Sequence, residues 1–285
     1  MTDSFERILA VDWSGAMDTR SIAVAAHRQN GQVQLVAAPV EARRRWWSRG
    51  GIFSLLLSAA RSEGRTLAGL DFPFAMPLPI QEQIACATAA DLWAFVEAAA
   101  AGAPDFYGRP SAEAPQWQHC FHRGGTLASQ PDVQLLLRET EEACKRAKLG
   151  QPWSTLRLSS QPAGVQALAG MRLLHALREA LGPALAVWPF DDVDAPGVRL
   201  VVVEIFPRTA IPRELAGLTK VSLDHLPKVL AHHGASLIGA PAVKDHDTDA
   251  LVAAAALPKA WRERRHLREL PAQASREGWI LGVGP

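Results

Sequence analysis

Ile8-Leu9-Ala10-Val11-Asp12-Trp13-Ser14-Gly15 is a short apolar run that ends on a carboxylate and passes directly into turn-forming residues. A continuous apolar run of this length suits a strand covered on both faces, as in the centre of an α/β sheet. The next candidate strands are residues 21–27 and 33–36, and Asn30-Gly31 between them is a strong hairpin signal because both residues tolerate positive φ. Ile52, Leu55, Leu56 and Ala59 then fall on one helical face. Thr66-Leu67-Ala68-Gly69-Leu70-Asp71 returns to strand, and Phe72-Pro73-Phe74 stops it, since proline removes a ladder donor. The chain therefore opens as three antiparallel strands, a helix and a fourth strand.

Further on, residues 80–101 have a helical pattern with Ile84, Ala87, Leu92, Phe95 and Val96 inward. Residues 102–162 are rich in Pro, Gly, Gln, His and aromatics, with one helix candidate at 133–147, and are expected to form an insertion or cap over the sheet. Residues 163–181 are helical again. Strands are expected at 185–188 and at 198–204, the second strongly β-branched and closed by Phe206-Pro207. Helices should follow at 223–232 and 248–257, then the basic stretch Arg262-Glu263-Arg264-Arg265-His266, and a short strand or buried tail at 278–283. The expectation is one α/β domain over residues 1–285, a mixed sheet flanked by helices.

Composition narrows the function classes. A hydrophobic fraction of 48% with 21% charged residues describes a soluble globular chain with a sizeable core, and no apolar run reaches the roughly 20 residues of a membrane span. The polar start, residues 1–7, is unlike a signal peptide, so a cytoplasmic location is expected. Cys86, Cys120 and Cys144 are widely spaced with no Cys-x-x-Cys, which argues for buried free thiols over structural zinc or a disulfide framework. A formal net charge of +1 leaves any nucleic-acid contact to a local patch.

Lone acids recur at segment ends. Asp12 and Asp71 each follow an apolar strand, and either could be a turn residue or a ligand-facing carboxylate at the carboxyl end of a central strand. Glu204 ends a β-branched strand, and Glu is a poor turn former. Buried there, it needs a cation, a metal, a proton or an arginine such as Arg208. Lys244-Asp245-His246-Asp247-Thr248-Asp249-Ala250-Leu251 opens a helix, where at least one acid should cap the backbone and favour the dipole. Jointly these acids suggest a Mg²⁺ or Mn²⁺ site. Mg²⁺ takes oxygen ligands in octahedral geometry and usually keeps waters, so two to four carboxylates from separate elements suffice, and paired ions can activate water on a phosphodiester.

Val11-Asp12-Trp13-Ser14-Gly15, Gly69-Leu70-Asp71-Phe72-Pro73-Phe74, Val203-Glu204-Ile205-Phe206-Pro207 and Asp245-His246-Asp247-Thr248-Asp249-Ala250-Leu251 together resemble the bacterial family called domain of unknown function 429. That family is described as predicted ribonuclease H-like nucleases. Gln161-Pro162-Ala163-Gly164-Val165, Gly170-Met171 and Glu277-Gly278-Trp279-Ile280 extend the resemblance over nearly the whole chain. It implies a ribonuclease H-like sheet, with metal-binding roles for Asp12, Asp71 and Glu204 and with Asp249 as the late-helix acid. Asp245 and His246 are second choices, His246 as a proton carrier or as an orienter of the ligands. Where resolvases of this fold carry an acid three residues before the late-helix Asp, this chain has His246.

The leading expectation is metal-dependent phosphodiester hydrolysis. Arg43-Arg44-Arg45-Trp46-Trp47 offers phosphate contacts beside stacking surfaces, which would suit a single-stranded or structured nucleic acid. Two alternatives stand beside it. One is a nucleotide-binding phosphotransferase or ATPase of the actin-like branch, which Asp12-Trp13-Ser14-Gly15 faintly suggests, though no second phosphate loop is evident. The other is a catalytically silent protein that binds a metabolite or partner in the crevice.

Overall fold

The computed structural model describes residues 4–40, 45–100, 102–124, 134–150, 152–159, 163–215, 217–218, 220–264 and 270–285. Strands β1 (Arg7–Asp12), β2 (Ala23–His27) and β3 (Gln32–Leu35) pair antiparallel in succession, turning between β2 and β3 through Asn30-Gly31, where Gly31 takes φ 78°. On the other side of β1 lie β4 (Thr66–Leu70), β6 (Leu200–Glu204) and β5 (Leu185–Trp188), all parallel to it. A two-residue strand, β7 (Ser236–Leu237), joins the far edge parallel to β3. The result is a seven-stranded mixed sheet in the order β5-β6-β4-β1-β2-β3-β7.

The continuous apolar runs have the physical consequence expected of them, because both faces of the sheet are covered. Alternate residues go to opposite sides. Leu9 and Val11 of β1, Ala68 and Leu70 of β4 and Val202 of β6 pack in one cluster with helices α1 (Arg49–Arg61), α3 (Ala89–Ala99) and α5 (Ala163–Leu181). Ala10, Leu67, Val201 and Val203 pack on the other side with α6 (Leu226–His232) and α7 (Asp245–Glu263). Trp117, Phe121, Leu156 and Leu158, from the irregular segment between α3 and α5, belong to the first cluster and so help cover that face.

Several elements differ from the periodic reading. The helix expected at 80–101 is two helices, α2 (Leu78–Gln83) and α3. Thr88 and Asp91 form a capping box that starts α3 afresh: the Thr88 hydroxyl accepts from Asp91 N (3.1 Å) and the Asp91 carboxylate accepts from Thr88 N (2.9 Å). The helix expected at 133–147 is confined to α4 (Glu139–Arg146), and residue 133 lies outside the described residues. The helix expected to stop at 257 continues through Pro258 to Glu263. An interior proline costs about 3 kcal/mol. Burial of Leu257 and Trp261 offsets it, at about 1.5–3 kcal/mol for a Leu-sized side chain. The carboxyl-proximal segment is a buried tail with one bridge, Glu204 to Ile280, rather than a strand. It follows α8 (Ala274–Glu277).

All three cysteines are free and buried. Burial, helped by the nearby Glu141 and Glu204, pushes the Cys144 thiol up to about 12, so it stays protonated and unreactive.

One close approach ties the core to the strand ends. Phe72, just beyond β4, lies between Trp13 and Phe74 with ring centroids 5.1 Å from each. A Cβ at Gly170 of α5 would overlap the Phe72 ring. Gly170→Ala should therefore destabilise by about 1–3 kcal/mol, the usual result of overfilling a packed core. A urea titration reads this, and an unchanged midpoint would show that Phe72 can move freely.

Candidate active site

Asp12 is the last residue of β1, and Asp71 is the first beyond β4. The parallel register sets Val11 opposite Leu70, and Asp71 N donates to Val11 O at 3.0 Å. The two aspartates thus stand side by side at the carboxyl ends of neighbouring central strands. Their parity on the pleat is that of Ala10 and Leu67, so both belong to the side covered by α7. The carboxyls are within hydrogen-bonding reach of each other.

That juxtaposition is electrostatically costly. Burial, then the charge of Asp249, pushes the Asp12 carboxyl well above the ordinary carboxylate range. Burial, then Asp12 and Asp249, does the same to Asp71. The third acid, Asp249 on α7, is also raised, chiefly by burial, with Lys220 and His246 working against the shift. His246, one turn earlier on α7, places Nδ1 2.7 Å from Asp12 Oδ2. Burial and then the charge of Lys220 lower its pKa, which favours a neutral ring with Nδ1–H donating to Asp12.

The other two acids at the start of α7 do different work. Asp247 accepts from Val243 N (2.9 Å) and Lys244 N (3.0 Å), so it is the third helical residue reaching back to the N-cap backbone at Lys244, as in a capping box. Asp245 is exposed, with Oδ2 3.4 Å from Lys220 Nζ. The structure thus gathers Asp12, Asp71, Asp249 and His246, and leaves Asp245 on the surface.

Glu204 ends its strand as Asp12 does, but its register sends it the other way. It pairs with Leu70 rather than with Asp71, and Leu70 belongs to the opposite face. Both of its oxygens meet one buried guanidinium: Arg138 Nη1 to Oε2 at 2.9 Å and Nη2 to Oε1 at 2.5 Å. Phe74 N also donates to Oε2, at 3.0 Å. The arginine expected as the alternative partner is therefore present, but it is Arg138 and not Arg208. Arg138 also holds Glu141, with Nε 2.8 Å from Oε1.

Above the aspartates opens a cleft of about 1010 Å³, with Asp71 and Asp249 in its lining. The remaining polar lining is cationic, from Lys145, Lys148, Arg208 and Lys220, and Trp153 and Phe206 add aromatic surface. Neither lysine of α4 and its end, nor Trp153, nor Lys220 stood out in the sequence. They come from α4 and its end and from two separate irregular segments, and only the fold brings them together. The basic aromatic segment that did stand out does not line this cleft. Trp47 is buried, with Nε1 donating to Val36 O at 3.1 Å, Trp46 is partly exposed, and Arg43 and Arg44 lie outside the described residues. In the later basic stretch, Arg264 lies 3.4 Å over the Trp261 ring, and Arg265 and His266 lie outside the described residues.

Among the described residues no three His, Cys, Asp or Glu side chains form a ready metal cage. What remains is the aspartate pair, and its donor set fits Mg²⁺ or Mn²⁺. Both ions favour carboxylate oxygens, and Mg²⁺ commonly binds through one or two of them while keeping waters and substrate phosphates as its other ligands. Among the described residues no lysine or arginine forms an ion pair with Asp12 or Asp71. No helix of the described residues is long and apolar enough to cross a membrane. The chain matches no family model, no curated protein and no solved structure.

Proposed function

We propose that this protein is a divalent-metal-dependent hydrolase of phosphodiester bonds in nucleic acid, built on a ribonuclease H-like sheet. The observation that carries this reading is the Asp12–Asp71 pair: two crowded carboxyls that no lysine or arginine pairs with among the described residues, beneath a cleft whose charges other than Asp71 and Asp249 are positive. Buried like charges persist where a cation resolves them, and strand-end crevices of α/β sheets are where ligands bind.

Asp12 and Asp71 would hold the ion, with Asp249 as the third acid in electrostatic range. A bound Mg²⁺ or Mn²⁺ would supply a water activated at neutral pH and a counter-charge for the phosphate. Lys220, Lys148 and Arg208 draw a polyanion into the cleft and hold its phosphates against the floor. His246 is oriented by its Nδ1 bond to Asp12, which leaves Nε2 as the ring's proton acceptor. Glu204 is left out of this set, because Arg138 occupies its carboxylate.

The test uses end-labelled single-stranded and duplex oligonucleotides with Mg²⁺ or Mn²⁺. Cleavage should require the metal, stop in EDTA and disappear in Asp12→Asn. No cleavage of either substrate with either metal would overturn the reading, and activity that survives in Asp12→Asn would mark a contaminating nuclease. A thermal shift with ATP, in the absence of cleavage, would replace hydrolysis with phosphotransfer.

A further inference from the structure

The cleft does not end at its own rim. A second pocket of about 340 Å³ shares Lys148, Arg208 and Ile211 with it and adds Arg213, Leu149 and Leu218. Among the described residues this second pocket has no acid in its lining, and its charged side chains, Lys148, Arg208 and Arg213, are all cationic. Arg208 spans the junction between the two spaces. Its guanidinium donates to Leu218 O, and its side chain lies so close to Gly150 that a Cβ there would collide with it. Gly150, at φ 114°, is thus what lets an arginine lie across this junction.

Trp153 is the third part. It lines the main cleft yet is 41% exposed, unusual in a chain that fully buries Trp13, Trp93, Trp117, Trp261 and Trp279. Arg157 sits 4.7 Å from its ring centroid, which covers one face of the indole and holds the ring in place. The exposed part of the ring faces the cleft that it lines. A ligand pocket for a single small molecule spans about 300–1,000 Å³. The main cleft alone reaches that size, and the side pocket extends it with three cationic side chains set among apolar ones.

We infer that the substrate is an unpaired nucleic-acid strand more than one nucleotide long, with a base stacked on Trp153 and a neighbouring phosphate held in the side pocket by Lys148, Arg208 and Arg213. This rests on the proposed hydrolysis for its placement of the reacting phosphate at Asp71. A free nucleotide would leave the side pocket unused. A duplex keeps its bases stacked internally and cannot offer one to the indole, whereas an exposed base stacks on aromatic rings regardless of sequence.

Fluorescence anisotropy in EDTA, where cleavage is off, separates these cases with a labelled mononucleotide, a short single-stranded oligonucleotide and a duplex of the same sequence. The oligonucleotide should bind more tightly than either of the others. Trp153→Ala should weaken it roughly ten- to a hundredfold, the worth of one stacked base. Lys148→Ala with Arg213→Ala should reduce the slope of log affinity against log salt by about 0.7, the value of one lost single-strand phosphate contact. Trp46→Ala, at the other tryptophan more than a third exposed, should bind as the wild type does. Tighter binding of duplex or mononucleotide, wild-type affinity in Trp153→Ala, or an equal loss in Trp46→Ala would overturn the inference. Cleavage of duplex by the wild type, undiminished in Trp153→Ala, would overturn it while leaving metal-dependent hydrolysis standing. Absence of all cleavage would remove the hydrolysis and leave the strand-binding result to be judged by anisotropy alone.

Discussion

Asp71→Asn is expected to melt above the wild type in EDTA and to lose both cleavage and the stabilisation by Mn²⁺. Every cause acting on the Asp71 carboxyl raises its pKa: burial first, then Asp12, Asp249 and Glu204. A raised carboxyl is costless below its unfolded pKa, near 3.9, and becomes a growing burden as pH climbs through the folded value. At neutral pH without metal, the wild type therefore carries a repulsion that asparagine removes. Single stabilising substitutions commonly yield about 0.5–2 kcal/mol. That corresponds to roughly 2–4 °C of melting temperature per kcal/mol in a chain of about this size.

Manganese should reverse the ranking. Ligand binding to the native state stabilises it by about 2.7 kcal/mol at a hundred times the dissociation constant. The wild type should then overtake a variant that has lost half of its aspartate pair. Calorimetric scans of both proteins, with EDTA and with Mn²⁺, give all four melting temperatures. A variant that melts below the wild type in EDTA would show that Asp71 is held by a partner instead of opposed by its neighbours.

The largest loss of stability should come from Arg138→Ala. Arg138 is fully buried, and it is the only cation that the described ion pairs place on Glu141 and Glu204, which are 1% and 2% exposed. Burial alone would lower the pKa of its guanidinium, and the two carboxylates more than restore it. Nη1 also donates to Glu277 O at 2.8 Å, so the same side chain ties α4 and β6 to α8. Truncation strands two buried charges, which costs about 3–5 kcal/mol. Out of a typical total of about 5–15 kcal/mol, that leaves a protein close to unfolding at room temperature. Arg138→Lys should recover little, because one ammonium cannot supply the forked geometry that reaches both acids. Urea midpoints for the two variants decide the matter, and a loss below about 1 kcal/mol in Arg138→Ala would show the network to be dispensable.

These two aspartates and this arginine also show where sequence reading carries and where it stops. β1, β4 and the Asn30-Gly31 hairpin were legible because burial on both faces and positive φ leave local signatures. Asp12 and Asp71 were legible for the same reason, as the first polar residues after apolar strands. Glu204 has the same local signature and an opposite outcome. Its fate depends on a one-residue offset in register and on Arg138, which is 66 positions away in an irregular segment. Spacing alone could not rank Asp245, Asp247 and Asp249, since which one caps a helix depends on where the first turn begins. Here it begins at Asp245, which makes Asp247 the residue that reaches back to the N-cap backbone and turns Asp249 toward the cleft. Lys148, Trp153 and Lys220 left no signal at all, because isolated lysines and a single tryptophan are common on any surface.

The tail beyond α8 has a consequence for how the chain is made. Leu281 N donates to Glu204 O at 2.9 Å, Ile280 N donates to the Thr140 hydroxyl at 3.0 Å, and Trp279 is fully enclosed. A ribosome delivers Arg138, Glu141 and Glu204 well before it delivers these residues. At about 5–20 residues per second the interval is on the order of seconds. Throughout that interval the charged triad has no lid, and the end of β6 offers an unpaired edge to any neighbouring strand. The nascent protein is thus open to misassembly for an interval set by the order of synthesis, and slow codons between β6 and the tail would lengthen that exposure.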